Sequence, residues 1–88
     1  MKRDEILEMA KKTITEDRND QYGEPEDNFK EIARYWSLYL NKKITAYDVA
    51  IMMTLFKLAR MTTGKTKEDN FIDAIGYLAC GAEIELKE

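Results

Sequence analysis

Lys57 and Arg60 lie one helical turn apart inside an otherwise largely apolar run, Val49–Met61, and Asp69 and Asp73 open the next segment at the same spacing. Two cations and two carboxylates separated by so short a connection are expected to meet. Charge withdrawn from water is unfavourable unless it is paired or faces a charged ligand. The set therefore admits two readings. In one, Arg60 pairs with Asp69 or Asp73 and fixes how two helices meet. In the other, the cations receive a phosphate, Arg as a planar fork and Lys as a point charge. Both hold if a carboxylate orients an arginine that also contacts a ligand.

A second group lies in the segment NDQYGEPE, Asn19–Glu26, where Gly and Pro combine. Tyr22 offers a flat surface on which a base can stack, Gly23 permits close backbone approach, and a helix starting at Pro25 presents free N–H groups to an anion. The plainer alternative is a turn with Tyr22 as a lid on the core. Together with Arg18 and Asn28 these complete a candidate ligand-binding set: Arg18, Tyr22, Gly23, Asn28, Lys57, Arg60, Asp69, Asn70, Asp73 and Tyr77. Asp69, Asn70 or Asp73 would orient the arginine or read a base edge. No catalytic residue can be assigned. With no histidine and a single cysteine, Cys80, the usual zinc sites, His-based triads and an intramolecular disulfide are excluded. Hydrolytic chemistry would need carboxylates and a hard cation, and no metal or other cofactor is assigned.

The elements that must position these residues follow from a helical period that persists throughout. A first amphipathic helix spans about Asp4 to Asp17, with Ile6, Leu7, Ala10 and Ile14 on its apolar stripe. A second runs from about Pro25 to Leu40, proline suiting a first helical position, and buries Phe29, Ile32, Ala33, Trp36, Tyr39 and Leu40. Thr45 and Asp48 form a capping-box pattern at the start of the third helix, Gly64 is its left-handed stop, and Thr66 with Asp69 repeats the pattern before a fourth helix reaching about Leu86. The third helix, apolar on nearly every face, is expected to be the most buried. On the fourth, Phe71, Ile75, Leu78, Ala79, Ala82 and Leu86 form the expected core stripe. Asp69, Asp73, Gly76, Tyr77 and Cys80 gather on another face. Glycine inside a helix costs about 1 kcal/mol against alanine, so Gly76 and Gly81 imply close approach of a helix or a ligand. Short connections favour an all-α, compact antiparallel four-helix bundle in a single domain, residues 1–88.

Eighty-eight residues bury one modest core, which makes a homo-oligomer an expectation. A chain 44% hydrophobic and 35% charged, with one Pro and four Gly, suits an ordered helical protein. A net charge of -3 gives no electrostatic footprint for duplex nucleic acid. Met1–Ala10 lacks the apolar core of a signal peptide, and no run approaches a membrane span, so a cytoplasmic protein without a membrane partner is expected.

The ordered set Arg18-x3-Tyr22-Gly23-x-Pro25-x2-Asn28-Phe29, Trp36-Ser37, Asp48-Val49-Ala50, Lys57-x2-Arg60 and Asp69-Asn70-x2-Asp73-x2-Gly76-Tyr77 resembles a family of small phage and prophage proteins, from about residue 18 to 84. That family is known chiefly as a domain of unknown function; phage origin would imply the host cytoplasm. More distantly, the helical pattern and Glu68–Ala79 are similar to all-α nucleoside triphosphate pyrophosphatases of the MazG and dUTPase type. The resemblance implies a Glu-x-x-Glu helix and a Glu-x-x-Asp helix holding magnesium near a triphosphate. Here Asn70-x-x-Asp73 stands in place of Glu-x-x-Asp, and the preceding helix offers Lys57 and Arg60 instead of two glutamates. Three functions remain open: binding and sequestering a phosphorylated, nucleotide-like ligand such as a host nucleotide or nucleotide signal; magnesium-dependent pyrophosphohydrolysis; and a structural or protein-interaction module without ligand. The cations favour the first.

Overall fold

In a computed structural model, which describes residues 1–17, 21 and 23–87, the chain is all-helical, with no strand among the described residues. Among the described residues the α-helices with defined bounds are α1 (Arg3–Lys12), α2 (Pro25–Leu40), α3 (Ala46–Thr62) and α4 (Glu68–Glu85). A π-helical turn, Thr13–Asp17, continues α1. Within it the Thr13 and Thr15 hydroxyls donate to the carbonyls of Met9 and Lys11, at 2.9 and 2.6 Å.

Local chemistry accounts for both ends of α2 and of α3. Pro25 opens α2. At its other end Asn41 adopts a left-handed conformation (φ 52°) and its N–H is donated to the Ser37 carbonyl. The Ser37 hydroxyl also donates to the Ala33 carbonyl and accepts the Ile44 N–H at 2.9 Å, so one side chain fastens the connection to α3. The expected capping box starts α3: the Asp48 N–H is donated to Thr45 Oγ1 at 3.1 Å, and the Thr45 N–H to Asp48 Oδ2 at 2.9 Å. Gly64 is left-handed just past its end (φ 70°). The second box does not form. Lys67, not Thr66, precedes α4 and makes no side-chain cap, while the Thr66 hydroxyl turns back to the Met61 carbonyl.

Small residues dominate the interior. Phe29, Ala33, Ala46, Val49, Ala50, Tyr77 and Cys80 form the core, with Ile14, Ile32, Trp36, Ile44, Met53 and Ile84 packed half-buried against it. Each fully buried large side chain, such as Phe29, stabilises by about 1.5–3 kcal/mol. The most extensive helix contact is that of α3 with α4, followed by α2 with α3 and α1 with α4.

Three expectations are corrected. The face of α4 that turns inward carries Asn70, Ile72, Ala74, Gly76, Tyr77, Cys80 and Gly81, whereas Phe71 and Leu78, on the expected core stripe, are exposed. Shape explains the reversal. A Cβ on Gly76 would lie 2.8 Å from Ile14 Cγ2, and one on Gly81 would lie 2.9 Å from the Ala50 Cβ, so the small-residue face lets neighbouring segments approach as the large-residue face does not. Likewise α3 is not the most buried helix on all sides: Met52, Leu55, Phe56 and Leu58 are exposed, because its contacts use Val49, Ala50, Thr54 and Lys57. Tyr39 and Leu40 in α2 and Leu7 in α1 also face outward.

Candidate functional site

Lys57 occupies the inward face of α3, one turn after the buried Thr54, whose hydroxyl is donated to the Ala50 carbonyl at 2.8 Å. Across the helix contact its Nζ lies 2.8 Å from Asp73 Oδ2. The Lys57 side chain is 11% exposed and that of Asp73 27%, so the pair spans the boundary between interior and solvent. An ammonium group carries three N–H donors, and this bond uses one. One turn before Asp73, Asn70 is only 7% exposed, yet its amide has no side-chain hydrogen bond among the described residues. A buried amide left without partners costs about 1–3 kcal/mol.

On its other side Asp73 lines a narrow cleft with Thr13, Ile14, Gly23, Pro25, Asn28, Phe29, Ile72, Gly76, Tyr77 and Cys80. The π-helical turn supplies one wall, through Ile14 against Gly76; α2 supplies another, because Pro25 and Asn28 fall on its first turn; α4 forms the floor. Gly23, left-handed at φ 79°, sits at the rim. The Tyr77 and Phe29 rings meet at 6.3 Å between centroids, tilted by 44°. The enclosed space is about 10 Å³, room for roughly one water. A wider hollow of about 180 Å³ adjoins it through Ile14, Pro25 and Cys80 and runs on past Ala79 to Glu83. Together they form a groove, with Asn28 and Asp73 lining its narrow part.

The candidate residues thus divide. Gly23, Asn28, Asp73 and Tyr77 come together at the cleft, and Lys57 stands behind Asp73. Arg60 does not join them. It is exposed, its guanidinium lies 4.4 Å from the Phe56 ring centroid, and it makes no ion pair with Asp69 or Asp73. Asp69 is exposed as well. Position on the helix explains the choice of cation, since three residues place Arg60 about 60° round α3 from Lys57. The expectations for Arg18 and Tyr22 lie outside the described residues. Thr13, Ile72 and Cys80 also line the cleft and lie outside the candidate set; for Thr13 the signal in the sequence is its place beside Ile14, opposite a helix-interior glycine.

Among the described residues no three acidic or cysteine side chains gather as metal ligands would, and no helix is long and apolar enough to cross a membrane.

Residues 5–85 match the model of a domain of unknown function, DUF6378, and the chain belongs to that family. It is 45% identical over 75 residues to the Gene 55 protein of Mycobacterium phage D29, an alignment covering 85% of this chain and 50% of that protein. With the Gene 55 protein of Mycobacterium phage L5 it shares 33% identity over 84 residues, covering 94% of this chain and 54% of the relative. The chain therefore spans about half the length of these phage relatives. No solved structure matches it.

Proposed function

We propose that the groove lined in its narrow part by Asn28 and Asp73 binds a small phosphorylated, nucleotide-like ligand, and that in a phage setting this sequesters a host nucleotide or nucleotide signal. The observation that supports the reading is Asp73 itself, a half-buried carboxylate that lines the groove and is held on its other side by the buried Lys57 at 2.8 Å. In this reading Asp73 accepts hydrogen bonds from a base or ribose edge and Lys57 holds it oriented. Free N–H groups at the start of α2 receive the phosphate, while Lys57, behind Asp73, acts through that carboxylate. Tyr22 and Arg18 are assigned stacking and phosphate contact from their chain positions beside Gly23. Binding requires the rim at Gly23 and Glu24 to move outward, since the narrow part holds only about one water.

Calorimetric titration with a panel of nucleoside mono-, di- and triphosphates and cyclic dinucleotides tests this. Saturable binding by the wild type, weakened about tenfold or more in Asp73→Asn and Lys57→Ala, is expected. Silence across the whole panel would sink the proposal. Magnesium-dependent hydrolysis has less support, because the described residues near Asp73 offer no gathered carboxylates.

The 2.8 Å bond between Lys57 and Asp73 favours a second reading, in which the pair only sets the register of a structural module. Ala50 opposite Gly81 and Lys57 opposite Asp73 support an antiparallel course for α3 and α4. Under this reading no ligand binds, and the charges are replaceable by apolar residues of similar size without loss of folding.

A further inference from the structure

Two apolar stripes of the α3–α4 pair lie on a side that no described residue covers fully. On α3, Ile51, Leu55 and Leu58 recur at i, i+4 and i+7; on α4, Phe71, Ile75, Leu78 and Ala82 recur at i, i+4, i+7 and i+11. Leu55 is 56% exposed, Leu58 46%, Phe71 43% and Leu78 48%. Tyr47, whose ring packs 3.8 Å from the Cβ position of Gly81, lies one turn before Ile51, and Ala82 directly follows Gly81. The two stripes therefore run side by side.

Whole-molecule dimensions agree. The accessible surface is 6632 Å², against about 5,400 Å² for a compact monomer of this mass. The radius of gyration is 13.5 Å, against about 12 Å. The excess over a compact monomer, on the order of 1,000 Å², is comparable with the roughly 800 Å² that each partner buries in a standard stable interface, and the outer face of α3 and α4 contributes to it.

We propose that this outer face is a two-fold seam between two copies of the chain. Stripes at alternating four- and three-residue spacing on two adjacent helices suit interdigitation with helices of the same kind, and a self-associating surface needs only to complement itself. A lipid surface fits less well. Helices that lie on membranes are rich in Lys and Arg, whereas α4 carries only acidic charges, Glu68, Asp69, Asp73, Glu83 and Glu85. The seam is independent of the ligand reading, because its residues lie on the opposite side of α4 from the cleft.

Sedimentation equilibrium of the full chain at micromolar concentrations tests the seam. The expected mass is twice 10.3 kDa. Phe71→Glu combined with Leu78→Glu should weaken the dimer by about 100-fold or more, as for residues central to an interface, and leave the helical circular dichroism unchanged. Leu58→Lys, on the other helix, decides if the double variant fails to fold. A wild type at single-chain mass throughout, with or without binding to anionic vesicles, overturns the proposal. So does a dimer that folded Leu58→Lys and double-glutamate variants leave intact.

Discussion

A Cβ built on Gly81 would stand 2.9 Å from the Cβ of Ala50, so these two positions set the distance between α3 and α4. Ala50 is fully buried and its Cβ is anchored to the helix backbone. Gly81→Ala must therefore push the helices apart. Despite alanine's better helix propensity, worth about 1 kcal/mol, a net loss of about 1–3 kcal/mol is expected from overpacking. Combining it with Ala50→Gly should recover part of that loss. Urea denaturation of the single and double variants measures both, and an unchanged or raised midpoint for Gly81→Ala would contradict the close crossing.

Lys57 and Asp73 should respond unequally to mutation. Losing the carboxylate strands an ammonium group whose side chain is 11% exposed, whereas losing the ammonium leaves a carboxylate 27% exposed, nearer to water. Asp73→Ala is expected to cost about 3–5 kcal/mol, and Lys57→Met less. The double variant Lys57→Met/Asp73→Leu should approach wild-type stability while abolishing the nucleotide binding proposed for the groove. Equal losses from the two single changes would argue against this asymmetry.

Two threonines of similar sequence context should separate cleanly. Thr45→Ala removes an acceptor from the capping box and should lower stability by about 1 kcal/mol. Thr66→Ala should change the melting temperature little, because no cap depends on its hydroxyl. Thermal melts of the two variants provide the comparison.

Glu26 is held below the usual carboxylate range, chiefly by a hydrogen bond from Lys87 and then by one from Lys30. Lys87 is correspondingly raised, chiefly by its hydrogen bond to Glu26. A depressed carboxyl contributes its stability above its unfolded value and loses it as pH falls through the folded one; a raised ammonium contributes below its unfolded value and loses it as pH rises through the folded one. The tie between the end of the chain and α2 should therefore hold at neutral pH and loosen at both extremes. In Lys87→Met, NMR titration should find the Glu26 carboxyl shifted upward. An unmoved titration would mean that Lys30 alone sets it.

Much of the scaffold was legible because its signals are local. Pro25 and the Thr45–Asp48 box each act within one turn, so neither needs tertiary information. The inward face of α4 was not legible. Hydrophobicity favours Phe71 and Leu78, but whether a helix buries large or small residues depends on what approaches it, and Ile14 and Ala50 are distant in sequence. For the site, the meeting of cation and carboxylate followed from spacing. The selection of Lys57 over Arg60 depended on the angle at which α3 meets α4, which spacing alone does not encode.

Ala50 against Gly81 and Lys57 against Asp73 fasten α3 to α4 at two points about 10 Å apart along the helix axis. One contact limits distance and the other limits rotation and sliding, since a slip of a single turn, about 5.4 Å, would break both. The pair consequently has one register and one spacing, so the cleft side of α4 and its outward apolar side are presented at a fixed angle to each other.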